Sequence, residues 1–275
     1  MPSSLASACF LTGCHRSGTT LLRYHLDSHP QIACPPESQF INGLARFAGD
    51  TQVRKGFLSL ELDDQQVARL LRDVAETPLK AYAAKHSKRL WIDKTPNYAR
   101  ILPFIDRLFQ RDAIYIFVVR HPFDSIISLR KFFALVDERY EDPYIRASVA
   151  SHGKTLRGWA RYWREVNEDI RDFTSTHAPR CLTIRYEDFV LTPAPILSNI
   201  LNFIGVPRAG GDIEQLVCNA FAMRHQLGYG DTKITATNRI HHQSLKKWAD
   251  WDAARKNDLW EIVGSMANHL GYTLY

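Results

Sequence analysis

Long apolar runs are missing from this 275-residue chain, and none approaches the roughly 20 residues that a membrane-spanning helix requires. Its first residues also lack a basic segment followed by an apolar core, so no export signal and no transmembrane anchor are read there. Cysteine is sparse and scattered: Cys9, Cys14, Cys34, Cys181 and Cys218 are odd in number and form no C-x-x-C pair. That set argues against a zinc site and leaves at least one thiol free in a monomer, which suits a reducing, cytoplasmic compartment. Repeats, low-complexity tracts and domain-sized linkers are absent too, so one domain over residues 1–275 is expected, long enough to bury a large core. The formal net charge of +6 comes without a dense basic cluster interleaved with aromatics, so a nucleic-acid partner is not expected. An anionic small molecule would account for part of the excess.

What the chain does have is one organising stretch, residues 10–26, F-L-T-G-C-H-R-S-G-T-T-L-L-R-Y-H-L. A β-favouring run at residues 8–12 ends at Gly13, and an amphipathic helix begins near Gly18 with Leu21, Leu22 and Leu26 at helical spacing. Strand, glycine-bounded loop and helix in that order converge backbone N–H groups on one point and favour an anion there. The spacing from Gly13 to Gly18 fits the nucleotide loop G-x-x-x-x-G-K-[ST], but Thr19 stands where the lysine belongs and Arg16 sits in the loop's middle. An enzyme working on the end of a triphosphate needs that lysine, so the loop is predicted to hold a different phosphate. The alternative is a plain turn leading into a helix capped by Ser17 or Thr19.

Beyond this unit, His29-Pro30 ends the first helix, and Pro35 and Pro36 stiffen an extended segment that presents Glu37. Glu37 is a candidate base, or simply a negative charge near the start of a helix through Phe40, Ile41 and Leu44. Residues 58–86 read as a helical insertion that Pro78 divides in two. Residues 89–93 (R-L-W-I-D) read as a buried strand with Lys94 just past its carboxyl end, where open α/β sheets bind ligands; a solvated loop lysine is the alternative. Residues 113–119 (A-I-Y-I-F-V-V) form a central parallel strand, followed by Arg120-His121-Pro122 and a helix over 123–134. Arg120 with Ser125 and Ser128 is equipment for a terminal phosphate, while pairing of Arg120 with Asp124 is the structural alternative. A long helix over 152–173 follows, then a strand over 180–186 ending at Tyr186, a helix to Gly205, another over 212–224, a polar lid-like loop over 228–243 and a closing helix over 253–270. Tyr186 is a pocket wall or an amphipathic surface tyrosine.

Several of these stretches together resemble the sulfotransferases that use 3′-phosphoadenosine-5′-phosphosulfate (PAPS), nearest the branch of bacterial and tyrosylprotein sulfotransferases: R-S-G-T-T in the loop, Glu37, D-K-T-P at 93–96, the unit at 118–129, R-Y-E-D at 185–188, residues 244–248 and L-G-Y at 270–272. The resemblance implies an α/β P-loop fold with a central parallel sheet flanked by helices. It implies PAPS as donor and PAP as product, with no metal required. It further implies Arg16 and Lys94 at the bridging oxygen and 5′-phosphate, with Ser17, Gly18, Thr19 and Thr20 completing the loop. Glu37 would be the base, Arg120 and Ser128 would hold the 3′-phosphate, Tyr186 the adenosine, and Lys247 would approach from the lid. Pro36-Glu37 stands where the tyrosylprotein enzymes carry two acidic residues, so a small-molecule, lipid or natural-product hydroxyl is expected over a protein tyrosine. Phe132, Phe133 and Tyr140 are candidates for a partly apolar acceptor pocket or for core. A monomer or homodimer is expected. A P-loop phosphotransferase would need the loop lysine and a magnesium carboxylate, and a non-catalytic nucleotide-binding module would be expected to lack Lys94 and Glu37.

Overall fold

The computed structural model describes residues 8–135, 142–206, 213–223, 240 and 242–274. Its five described strands are β1 (Ala8–Gly13), β2 (Ile32–Ala33), β3 (Leu90–Lys94), β4 (Ala113–Val119) and β5 (Cys181–Arg185), all parallel and ordered β2-β3-β1-β4-β5. Strands covered on both faces need apolar residues at every position, which is why β1 and β4 read as continuous hydrophobic runs. Their side chains divide by alternation: Cys9, Leu11, Ile116 and Val118 join one core, and Phe10, Tyr115, Phe117 and Val119 the other.

The helices are α1 (Thr19–Asp27), α2 (Phe40–Gly49), α3 (Thr51–Ser59), α4 (Asp64–Lys85), α5 (Leu102–Phe109), α6 (Pro122–Leu135), α7 (Pro143–His152), α8 (Leu156–His177), α9 (Tyr186–Leu191), α10 (Pro193–Phe203), α11 (Ile213–Asn219) and α12 (Ala253–His269). Leucines of α1 and α10 and Phe189 of α9 cover the first face, while α4, α5, α6, α8 and α12 fill the second. Among the described residues no helix is long and apolar enough to cross a membrane.

Four local expectations are corrected. Pro78 does not divide the insertion: α4 runs through it for 22 residues, started by a capping box at Asp63 and Gln66. Val74 and Pro78 lie on the exposed face, so the carbonyl that loses its N–H partner meets water, while Ala75, Leu79 and Ala83 stay packed on the other side. The helix expected over 152–173 is α8, shifted to 156–177, because Gly153 at φ 73° ends a preceding helix, α7, that the sequence reading did not anticipate. Lys94 closes β3 rather than following it, and Tyr186 opens α9 instead of ending a strand. Most of the lid-like loop, including Lys233, Arg239 and His241, and Tyr140 lie outside the described residues.

The carboxyl end of β3 carries a buried acid. Asp93 accepts hydrogen bonds from Ser38 Oγ at 2.8 Å and Tyr98 Oη at 3.0 Å, pinning the segment after Pro36 to the sheet. Burial pushes its carboxyl from 3.8 up to about 6, against the opposing pull of Ser38, Tyr98 and Lys94.

Two outcomes follow for stability. A folded pKa above the unfolded one gives stability that is full below about pH 4 and lost as pH rises toward 6. Asp93→Asn is therefore expected to gain on wild type between pH 4 and pH 7 by on the order of 2 kcal/mol, read as a widening difference between their thermal midpoints. Pro78→Ala, by restoring a partner to the Val74 carbonyl, is expected to raise the unfolding free energy in urea by about 1–2 kcal/mol.

Candidate active site

The glycine loop makes the site possible. Gly13 lies so close to β4 that a Cβ there would meet the Val118 carbonyl oxygen at 2.3 Å, and the loop folds tightly, with Ser17 N donating to the Cys14 carbonyl at 3.1 Å. Gly18 occupies the N-cap of α1 at φ 104°, and a Cβ there would meet the Tyr186 ring at 2.2 Å. No side chain caps α1 and its first turn carries no acid, whereas α3, α4, α7, α8 and α12 are capped by Asp50, Asp63, Asp142, Thr155 and Asp252. The capped-turn alternative is thereby excluded: Ser17 Oγ is buried without a partner, and Thr19 lies inside the first turn. An uncapped helix N-terminus approached by cations is an anion site.

Three cations surround it. Lys94 is 1% exposed and pairs with Glu37 Oε1 at 2.7 Å, also donating to Thr20 Oγ1 at 3.3 Å, so it is no solvated loop lysine. The expectation that Glu37 serves the helix dipole fails as well, since its carboxylate turns to Lys94 and to Gln39 Nε2 at 3.0 Å. Arg16 donates from Nε to Ser128 Oγ at 3.2 Å, and its guanidinium lies 4.8 Å from the Phe132 ring centroid. Arg120 donates to the Arg16 carbonyl at 3.0 Å and to the Ser244 carbonyl at 2.5 Å while stacking 4.4 Å from the Tyr186 ring. Asp124 does not take up Arg120 by a direct ion pair; its carboxylate accepts the backbone N–H groups of Lys246 at 2.9 Å and Lys247 at 2.8 Å.

These contacts make the residues at 244–248 a strap over the loop. Tyr186 Oη meets Ser244 Oγ at 2.7 Å, and Trp248 stacks on His121 at 4.6 Å and 12°. Burial pushes His121 from 6.5 down to about 4, and both ring nitrogens are taken up, Nδ1 by the Phe123 N–H and Nε2 by the Thr273 carbonyl, so it serves packing. His29 likewise accepts Gln31 N–H and is held low by burial. His15, the third histidine near the motifs, is tied to Tyr162 Oη at 2.7 Å.

The structure thus gathers Arg16, Ser17, Gly18, Thr19, Thr20, Glu37, Lys94, Arg120, Ser128 and Tyr186 around one helix end, with Lys247 held there through its backbone. Ser17 Oγ, Ser125 Oγ and Arg120 Nε are buried without hydrogen-bond partners, which fits an anion with several oxygens rather than a neutral ligand. Sequence reasoning missed Ser244 and the anchoring role of Asp124, whose partners are backbone groups that no motif reports. It also missed Gln39, whose only signal was its place two residues after Glu37. Phe133 stacks on Trp159 at 5.0 Å and belongs to the core, while Phe132 is half-buried beside Arg16.

The chain is 35% identical to the nodulation protein NoeE of Sinorhizobium fredii, over 98% of this chain and 67% of that protein. It is 28% identical to the protein-tyrosine sulfotransferase of Drosophila melanogaster, over 72% of this chain and 38% of that enzyme, so it spans well under half the latter's length. The sulfotransferase domain of the Synechococcus PCC 7002 olefin synthase superposes with TM-score 0.66 at 26% identity, covering 100% of this chain and 98% of that one. Mouse sulfotransferase SULT7A1, solved with PAP, shares the fold at TM-score 0.52 and 15% identity over 95% and 84% of the two chains. A profile of the Sulfotransferase family matches residues 9–210, and the chain belongs to that family.

Proposed function

We propose that this sulfotransferase takes its sulfuryl group from PAPS, releases PAP, and sulfates a hydroxyl of a small molecule, lipid or natural product, with Glu37 as the base. The observation that carries the reading is the convergence of Arg16, Lys94 and Arg120 on the uncapped start of α1, with the Glu37 carboxylate paired to Lys94. PAPS, when bound, supplies an activated sulfuryl group whose bond to the bridging phosphate oxygen breaks as the bond to the acceptor oxygen forms.

Sulfuryl transfer, like phosphoryl transfer, asks the protein for positioning and charge neutralisation. The N–H groups of the α1 first turn, with Ser17, Thr19 and Thr20, hold the 5′-phosphate. Lys94 and Arg16 neutralise the charge that develops on the leaving phosphate oxygen, in a setting where Lys94 is screened from water. Arg120 and Ser128 take the 3′-phosphate, Tyr186 walls the adenosine, and Lys247 approaches from the strap. Glu37 takes the acceptor's proton once Lys94 turns to the donor and its Oε1 is released. Phe132, half-buried beside Arg16, supports an acceptor with an apolar part.

Calorimetric titration with 3′,5′-adenosine diphosphate (PAP) is expected to show tight binding where ATP with magnesium shows little; the opposite preference would return the chain to phosphotransfer. Arg120→Ala is expected to weaken PAP at least tenfold while 5′-AMP is barely affected, and equal weakening of both would remove its 3′-phosphate role.

Arg16→Ala and Lys94→Ala are each expected to lower kcat on the order of 100-fold. Glu37→Gln is expected to abolish most turnover with PAP still bound; full activity in Glu37→Gln across neutral pH would end its role as base. With 35S-labelled PAPS, label is expected on phenols or alcohols, and exclusive labelling of a tyrosyl peptide would overturn the acceptor class.

A further inference from the structure

Glu37 is held on two sides. Lys94 takes Oε1, while Oε2 accepts from Gln39 Nε2 at 3.0 Å. Behind Gln39 a chain of amides continues into the protein. Asn42 Nδ2 donates to Gln39 Oε1 at 3.1 Å and to Asn97 Oδ1 at 2.8 Å, and Asn97 Nδ2 donates to Asp142 Oδ2. Asn42, Asn97 and Asp142 are all buried.

The direction of this chain is fixed by its ends. Ionised carboxylates only accept, so Gln39 must turn its NH2 to Glu37 and Asn97 must turn its NH2 to Asp142. Each then presents its carbonyl to Asn42, whose two N–H donors satisfy both. Asp142 is held ionised: burial pushes its carboxyl up, but His15, the Ile145 N–H and Asn97 together bring it below the usual carboxylate range.

Two features cost stability and point to a purpose. Asn42 Oδ1 is buried with no hydrogen-bond partner, the penalty for spending both its donors on the flanking amides. Gln39 adopts φ 58° at the N-cap of α2, where a side chain other than glycine is strained, and Ser38 next to it is bonded to Asp93. A segment designed only for stability would carry glycine at 39 and an apolar residue at 42.

We propose that Gln39 is a positioning residue that keeps the Glu37 carboxylate aimed at the acceptor when Lys94 leaves it for the donor, and that Asn42 sets the donating face of Gln39. The inference rests on Glu37 being the base. Without Gln39 the carboxylate loses its second anchor at the moment the first one departs.

Gln39→Gly tests this, since glycine suits φ 58° and removes the side chain that links Glu37 to Asn42. PAP release from saturating PAPS is followed with 2-naphthol as probe acceptor and with water alone. Gln39→Gly is expected to keep a melting temperature close to wild type, since relief of strain at φ 58° offsets the acceptor that Asn42 loses, to bind PAP within twofold of wild type, and to lose roughly tenfold in kcat. Gln39→Glu, which offers Glu37 no N–H, should lose as much as Gln39→Gly, while KM for PAPS stays near wild type in both. In a Glu37→Gln background the Gln39→Gly change should cost nothing more. A wild-type kcat in Gln39→Gly, with Glu37→Gln inactive, overturns the positioning role alone. A tenfold loss that persists in the Glu37→Gln background overturns it too, whereas full activity of Glu37→Gln removes the base itself.

Discussion

Parallel register is the constraint on which the site depends. β1 pairs with β3 so that Leu11 stands opposite Lys94, and with β4 so that Gly13 stands opposite Val118. That alignment sets Lys94 beside the start of the loop, puts Arg120 two residues beyond the level of Gly13, and leaves Arg16 between them. A shift of one residue in either ladder would turn Lys94 to the other face or retract Arg120 from the loop. The continuous apolar runs of β1 and β4 hold the ladders in place, so the chemistry at the carboxyl ends is fixed by packing several residues away.

Cations brought this close must be neutralised until an anion arrives. The protein does so internally: Glu37 against Lys94, Ser128 and the Phe132 ring against Arg16, and backbone carbonyls against Arg120. Burial makes each pairing strong and its loss costly, which ties the groups that would meet a donor to the groups that would serve an acceptor. The same economy explains why polar atoms at Ser17, Ser125 and Arg120 are left unsatisfied.

The local requirements of this arrangement were legible in the sequence. A strand, two glycines at a set spacing and a leucine-faced helix are demanded by short-range geometry, and β4 announces itself by seven apolar or aromatic residues in a row. What distant residues do to one another was not legible. The pairing of Lys94 with Glu37, the seat that Asp124 gives to the strap, and the amides behind Glu37 join positions far apart through partners that leave no periodic trace. Pro78 misled because the rule against proline in helices weighs a lost hydrogen bond, and here the orphaned carbonyl faces water. The helix α7 escaped because its buried positions, Ile145 and Ser148, are too few to impose a period.

The strap is clasped through main-chain groups: Asp124 grips two peptide N–H groups and Arg120 a peptide carbonyl. A clasp of that kind does not read side-chain identity at Lys246 or Lys247, beyond the left-handed backbone that Lys246 adopts at φ 53°. Mutational drift at Lys246 can therefore explore new side chains without undoing that clasp, whereas Ser244 and Trp248, held by their side chains, and the glycine loop, where a single added carbon collides, are constrained.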